Sequence, residues 1–360
     1  MFDNLLEIVN VNINSIRAII QTNNRLRKIA EKGIVNRQQS KDNQEIIELL
    51  KGTPNEKQWK LYEHCAVVTR LYAIYERFVE ELISTWLQYL PQLVENYLEL
   101  DEKIQNTHRE GVGRILLEFK KDRFKDLSEN QVIIGLFYGT TGENKNYELL
   151  PQAFLLHDQN LRKDILEKLF TDAGIGNTWK WVIKHRKVIH IIEEIRGNKN
   201  IAEKELKNAV EGELNQLISY RNEAAHGVVD EILGTQELLD LGDFIKALCQ
   251  ALAELVTYQI IQKQTSTGKA KEIGEITEWF KKPKAAVARI NNSSLSIETN
   301  VFLVSETSSY CRLAKIESIQ INDISHENIE ITSEAEVGLK FDIDAKKGLK
   351  IYIIVEDSVE

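Results

Sequence analysis

Apolar positions follow two different periods along this chain. In Leu61–Leu90 they recur at Leu61, Cys65, Val68, Tyr72, Tyr75, Val79, Leu82 and Trp86, steps of three and four that predict an amphipathic helix. Pro91 comes next and steers its predecessor out of the helical region, which predicts the helix end. Ile201–Ala225 sets Leu206, Val210, Leu214, Leu217 and Ile218 on one face, with Gly227 placed to cap it. Thr235–Gln262 repeats the pattern through Leu238, Leu241, Phe244, Ile245, Leu248, Leu252, Leu255, Val256 and Ile260. Shorter helices are predicted at 3–31, 110–125, 130–137, 160–172 and 178–195.

Beyond this region the period changes. Gln264–Lys271 is polar and small, which predicts a linker. Its Ser-Thr-Gly-Lys lacks the GxxxxGK[ST] spacing of a phosphate-binding loop and follows no strand. After Pro283 come short runs rich in Val, Ile and Thr: Ala286–Ile290, Leu295–Glu298, Val301–Val304, Ala314–Ile321, Ile329–Ile331, Glu336–Ile343 and Leu349–Val355. Several alternate apolar and polar residues between turn-forming pairs, and together they predict a small barrel or sandwich. The fold class is multi-domain, α then β: a helical domain over 1–265, a linker over 266–272 and a β domain over 273–360.

Composition narrows the function classes. Apolar residues make up 42% and charged residues 28%, the balance of a globular protein. No uninterrupted apolar run reaches the roughly 18 residues of a membrane span, and MFDNLLEIVN has no basic leader region. Cys65, Cys249 and Cys311 are scattered and form no CxxC pair, so neither a disulfide framework nor a zinc knuckle is predicted and a cytoplasmic location is expected. The net charge of -9 argues against a whole-surface polyanion binder. The acid is concentrated late, with 7 Lys/Arg against 13 Asp/Glu from Ala285 onward.

The chemistry is carried by Tyr220-Arg221-Asn222-Glu223-Ala224-Ala225-His226-Gly227. Arg221 continues the apolar face of Leu217 and Ile218, where a guanidinium is costly unless it meets a partner. His226 follows at the helix end, about 140° round at 100° per residue. An arginine can brace a phosphate bidentately, and a histidine can exchange a proton near neutral pH. Together they suit phosphodiester cleavage without a metal, a reaction in which RNA supplies its own 2′-hydroxyl nucleophile. Taken alone, R-x4-H also fits a structural salt bridge beside a helix-terminal histidine.

Arg221-Asn222-Glu223-Ala224-Ala225-His226-Gly227 resembles the Arg-Asn-x-x-Ala-His-Gly signature of the HEPN superfamily, in the branch of bacterial ribonuclease toxins and abortive-infection proteins. Arg70–Val79, His108–Leu116 and Asn160–Leu166, followed by Ala173-Gly174-Ile175, stand where that branch places them, so the likeness covers 55–265. The resemblance implies a helical bundle that dimerises into one composite, metal-independent ribonuclease site. It makes Arg221 and His226 catalytic and Asn222 a polar member of the motif. Glu76 borders the apolar stripe of its helix and is expected to support Arg221. Where some toxins of the branch carry a modifiable tyrosine, this chain has Val228.

Gly274–Ile354 resembles the β-barrel that forms the second domain of translational GTPases. The matching segments are Ile273–Thr277, Phe280–Lys282, Val287–Ile290, Ile316–Gln320, Val337–Lys340 and Lys347–Tyr352, although the usual Gly-Asp turn pairs are absent. The expected function is a metal-independent endoribonuclease, a toxin or antiviral effector acting on tRNA or other translation-associated RNA. The alternative is a non-catalytic RNA- or protein-binding module. RNA, a second copy of the chain and an antitoxin or regulator protein are the expected partners, with no membrane. Lys180, Lys184, Arg186 and Lys187, interleaved with Trp179 and Trp181, are candidate RNA contacts, and the same pattern also fits a helix with tryptophans inside and lysines in water. The histidines show no ligand spacing, so no metal and no cofactor are expected.

Overall fold

The computed structural model describes residues 2–35, 52–141, 147–157 and 159–355. The helical part comprises α1 (Asp3–Val35), α2 (Glu56–Leu93), α3 (Glu102–Leu117), α4 (Glu129–Thr141), α5 (Pro151–Phe154), α6 (Lys163–Asp172), α7 (Thr178–Lys184), α8 (Arg186–Arg196), α9 (Glu203–His226) and α10 (Thr235–Ser266). Local chemistry fixes several ends. The Asn55 side chain accepts from Gln58 N–H (2.9 Å) and Asp101 from Lys103 N–H (2.8 Å), each satisfying a first-turn donor. Gly227, at φ 75°, closes α9 while Val228 N–H reaches back to the Glu223 carbonyl (3.2 Å).

Helices α2 and α10 form the centre. Tyr72, Tyr75, Phe78, Leu82 and Trp86 of α2 are buried among Phe244, Leu248, Leu252 and Val256 of α10 and Leu214, Leu217 and Ile218 of α9. Polar ends of the aromatics are satisfied inside: Trp86 Nε1 donates to the Ala173 carbonyl (2.8 Å) and the Tyr75 hydroxyl to that of Leu161 (3.1 Å). Helix α10 contains an 18-residue stretch of mean hydropathy 1.3, apolar enough to cross a membrane, and 78% of that stretch is buried within the protein itself. Its apolar character thus serves the core of the bundle.

Several helices differ from their expected spans. The helix expected at 178–195 is two, because His185 is extended (φ -73°, ψ 124°) between α7 and α8. Its ring is buried 3.5 Å from Glu254 of α10, a tertiary contact to which periodicity is blind. The helix expected at 110–125 starts earlier, at the Asp101 cap, and ends at Leu117, leaving a short 3-10 turn at Asp122–Phe124. Pro91 falls inside the last turn of α2 and the helix continues to Leu93, since a proline there removes a single late hydrogen bond.

The β part comprises β1 (Ala270–Phe280), β2 (Ala285–Ile290), β3 (Ser293–Ser296), β4 (Asn300–Ser305), β5 (Tyr310–Ile321), β6 (Ile324–His326), β7 (Asn328–Ile331), β8 (Ala335–Phe341) and β9 (Lys350–Ile354). Strands β1, β2, β8, β5, β4 and β9 form a closed antiparallel six-stranded barrel; β6 extends β5, and β3 pairs with β7 as a separate ribbon. Ile273, Ile276, Ile290, Val301, Leu303, Ile316, Val337, Phe341 and Ile351 fill the interior. Strand β1 is absent from the expected runs because two bulges, at Glu272/Gly274 and Ile276/Glu278, break its alternation. Gly274 is required there: a Cβ would lie 2.0 Å from the Arg289 carbonyl oxygen.

The connection between the two parts is also shorter than the expected linker. Helix α10 runs through Ser266 and β1 begins at Ala270. Gly268 N–H bonds to Thr265 O (3.2 Å) and Lys269 N–H to Gln264 O (2.8 Å), ending the helix in a Schellman arrangement with Gly268 at φ 75°. Phe302, Val304, Cys311 and Tyr352 of the barrel join the helical core, and Trp181 stacks on Tyr258 with ring centres 5.0 Å apart.

Candidate functional site

The last two turns of α9 carry Arg221, Asn222 and His226 out of the bundle. Leu214, Leu217 and Ile218 of the same helix are buried, so the C-terminal end of α9 is fixed from one side and open on the other. Facing it, α2 presents Glu76 and Glu80. The segment between α5 and α6 adds His157, Gln159, Asn160 and Arg162. These groups, with Ile165, line one open cleft of about 690 Å³. Sequence-expected Arg221, Asn222, His226 and Glu76 therefore meet in one place, although nearly 150 residues separate Glu76 from the motif.

Tyr72 organises this site from beneath. It is 2% exposed, and the Arg221 guanidinium lies 4.9 Å from its ring centre, a cation–π contact. The Tyr72 hydroxyl donates to Glu76 Oε1 (2.8 Å) and accepts from Leu161 N–H (3.1 Å). Burial pushes the phenol well above its ordinary range, so it remains a donor. Arg221 Nη1 also donates to Asn222 Oδ1 (3.0 Å), which accepts Asn160 Nδ2 as well (3.1 Å). Glu76 thus reaches Arg221 through Tyr72. Among the described residues the guanidinium is held by a ring and an amide rather than a carboxylate, which leaves its charge available to an anion entering the cleft.

His226 is the last residue of α9 and is exposed; among the described residues nothing bonds to its ring. His157 is differently set. Its Nε2 lies 3.5 Å from Glu80 Oε1, and its Nδ1 faces the Gln159 carbonyl (3.1 Å). The Glu80 carboxylate raises its pKa, aided by that carbonyl and opposed by burial. Arg162 donates to Asn215 Oδ1 of α9 (2.8 Å) at the rim. The cleft accordingly offers cations for a phosphate, an imidazole open to solvent, and two carboxylates. Sequence reading missed His157 and Glu80: neither has a motif, and only their convergence on the cleft singles them out.

The other candidate RNA contacts lie elsewhere. Lys180 is exposed on α7 and Lys184 is half-buried. The Arg186 guanidinium sits 4.5 Å from the Tyr310 ring centre, and Lys187 lines a separate pocket of about 390 Å³ with Lys246 and Arg312. None of the four lines the cleft of Arg221 and His226. Trp179 and Trp181 are buried at 2% and 5% exposure, packed in the core rather than presented to bases. Among the described residues, no three His, Cys, Asp or Glu side chains converge as a metal-holding group.

A family model described as RiboL-PSP-HEPN matches residues 36–258, a span that contains the whole cleft. No curated protein and no solved structure matches this chain.

Proposed function

Since this chain belongs to the RiboL-PSP-HEPN family, whose HEPN-type domain is in general a nuclease or RNA-related module, we propose that it is a metal-independent endoribonuclease acting at the Arg221/His226 cleft. The observation that carries this reading is the pairing of a fixed guanidinium, bound by no carboxylate among the described residues, with an exposed imidazole on one helix end. In the reaction, the RNA 2′-oxygen attacks the adjacent phosphorus as its proton is removed. The P–O5′ bond breaks, and the 5′-oxygen leaves with a proton. The products are a 2′,3′-cyclic phosphate and a 5′-hydroxyl end. His226 acts as general acid or base, and Arg221 carries the charge of the pentavalent phosphate. Asn222 and Glu76 position Arg221, the one directly and the other through Tyr72.

A second copy of the chain contributes the matching Arg/His pair of a composite site. The barrel, with its likeness to a translation-factor domain, directs the nuclease to tRNA or another translation-associated RNA. Such an enzyme fits a toxin or antiviral effector restrained by a partner protein. Incubating the native protein, His226→Ala and Arg221→Lys with total RNA in EDTA, then sequencing RNA ends, tests the reading. Discrete cuts by the native protein alone are expected. Cuts unchanged in His226→Ala, or lost in EDTA, refute it. RNA binding without cleavage by the native protein establishes a non-catalytic module instead.

A further inference from the structure

Helix α1 packs with one face only. Val9, Ile13, Ile16 and Ile20 are buried in the core shared with α2 and α10. Beside them, at 100° per residue, runs a second apolar stripe within an arc of about 100°. On it Ile8 and Leu26 are 40% exposed, Val11 54%, Ile19 57% and Ile29 53%. Ser15, Ala18 and Thr22 fill the remaining positions between them, and they too are exposed. From Asp3 to Ala30 no charged side chain falls on this arc; Glu7, Arg17, Arg25 and Lys28 lie to one side of it. Five large exposed apolar residues on one helix edge form a patch of the kind that marks an interaction surface.

In spacing and polarity the stripe reads the same from either end. Ile8 and Ile29, Val11 and Leu26, Ser15 and Thr22, and Ala18 and Ile19 stand at equal distances from a point between residues 18 and 19. A helix edge symmetric in polarity, with only the central Ala18 and Ile19 unequal in size, can pack on itself about a two-fold axis through that point. Charge agrees with this arrangement. Exposed Glu7 lies near the amino end and exposed Arg25 and Lys28 near the carboxyl end, all on the same flank. An antiparallel two-fold copy keeps this flank on the same side of the pair and sets acid near base at both ends, whereas a parallel two-fold copy turns it toward the opposite flank and makes no such pairing. The helix ends before residues 36–258, the span that the family model matches, so this edge lies outside that span.

We propose that α1 is the contact face of a two-fold homodimer in which the Ile8–Ile29 stripe packs antiparallel against the same stripe of a second copy. The contact runs about 31 Å at 1.5 Å per residue, a small interface, so dissociation in the micromolar range is expected. None of these α1 residues lines the Arg221/His226 cleft, so the contact goes beyond the nuclease reading and is measured without any cleavage. Sedimentation velocity on the full chain should show a concentration-dependent dimer, and Ile19→Glu, beside the axis, should weaken it at least about tenfold while circular dichroism stays unchanged. In a Cys65→Ser background, Val11→Cys and Leu26→Cys proteins should form a disulfide-linked dimer when mixed and oxidised, but neither should do so alone. A monomer at every concentration overturns the proposal and leaves the stripe to residues 36–51 or to another protein. A dimer indifferent to Ile19→Glu, or a cross-link in Val11→Cys alone, overturns it as well. Absence of RNA cleavage with the mixed cross-link intact sinks only the nuclease reading, and cleavage without the cross-link sinks only this interface.

Discussion

Removing the Tyr72 hydroxyl tests the way the cleft is held together. The side chain is 2% exposed, donates to Glu76 Oε1 at 2.8 Å and accepts Leu161 N–H at 3.1 Å. Tyr72→Phe keeps the ring under Arg221 but deletes both bonds. A hydrogen bond to a charged group contributes about 1.5–3 kcal/mol and an orphaned buried N–H costs about 1–3 kcal/mol. Glu76 is partly exposed, which places its share at the low end, so the expected loss is about 2–4 kcal/mol. Glu76→Ala removes the same carboxylate bond from the other side. Urea unfolding of the native chain, both single variants and the double, followed by helical circular dichroism, should give a coupling of about 1–2 kcal/mol. Additivity within about 0.5 kcal/mol refutes a Tyr72–Glu76 link that matters to the fold. The same Tyr72→Phe protein should lose turnover more than substrate affinity, because Asn160 and Leu161 no longer fix the amide that orients Arg221. An unchanged cleavage rate refutes the positioning role.

Two further predictions concern the frame around the cleft. The buried His108 accepts Leu150 N–H at Nε2 (3.1 Å) and turns Nδ1 to the Tyr97 hydroxyl (3.3 Å), which requires a neutral ring, and burial lowers its pKa from 6.5 to about 4. The folded value lies below the unfolded one, so its contribution is present above about pH 6.5 and is lost as pH falls toward 4, by at most about 3 kcal/mol; His108→Gln should flatten that part of the stability–pH curve, and an identical slope in both proteins counts against it. In α3, a Cβ on Gly111 would lie 2.1 Å from the Ala153 carbonyl oxygen, while one on Gly113 meets nothing within 4 Å. Gly111→Ala should therefore destabilise by several kcal/mol, and Gly113→Ala should stabilise by up to about 1 kcal/mol in thermal melts; equal effects refute the close α3–α5 approach.

Much of the architecture was legible from order and period alone. Steps of three and four placed α2, α9 and α10 within a few residues of their observed spans, because each buries one continuous face and that demand is written along the chain. Alternation located most barrel strands for the same reason. It failed at β1, where bulges interrupt the pattern, and at His185, where a single buried side chain splits a helix. Both failures arise from contacts with residues distant in the chain.

The functional residues divide in the same way. Arg221, Asn222 and His226 could be read as a unit, since they occupy two adjacent turns of one helix whose apolar face sets where they point. That Glu76 would join them through the Tyr72 hydroxyl, that His157 and Glu80 would pair across the cleft, and that Lys187 would turn toward the barrel followed only from packing. Helical periodicity fixes a side chain's direction around its own axis. Which other element that direction meets depends on how α2, α9 and the α5–α6 segment dock, and that docking is set by burial summed over the whole core.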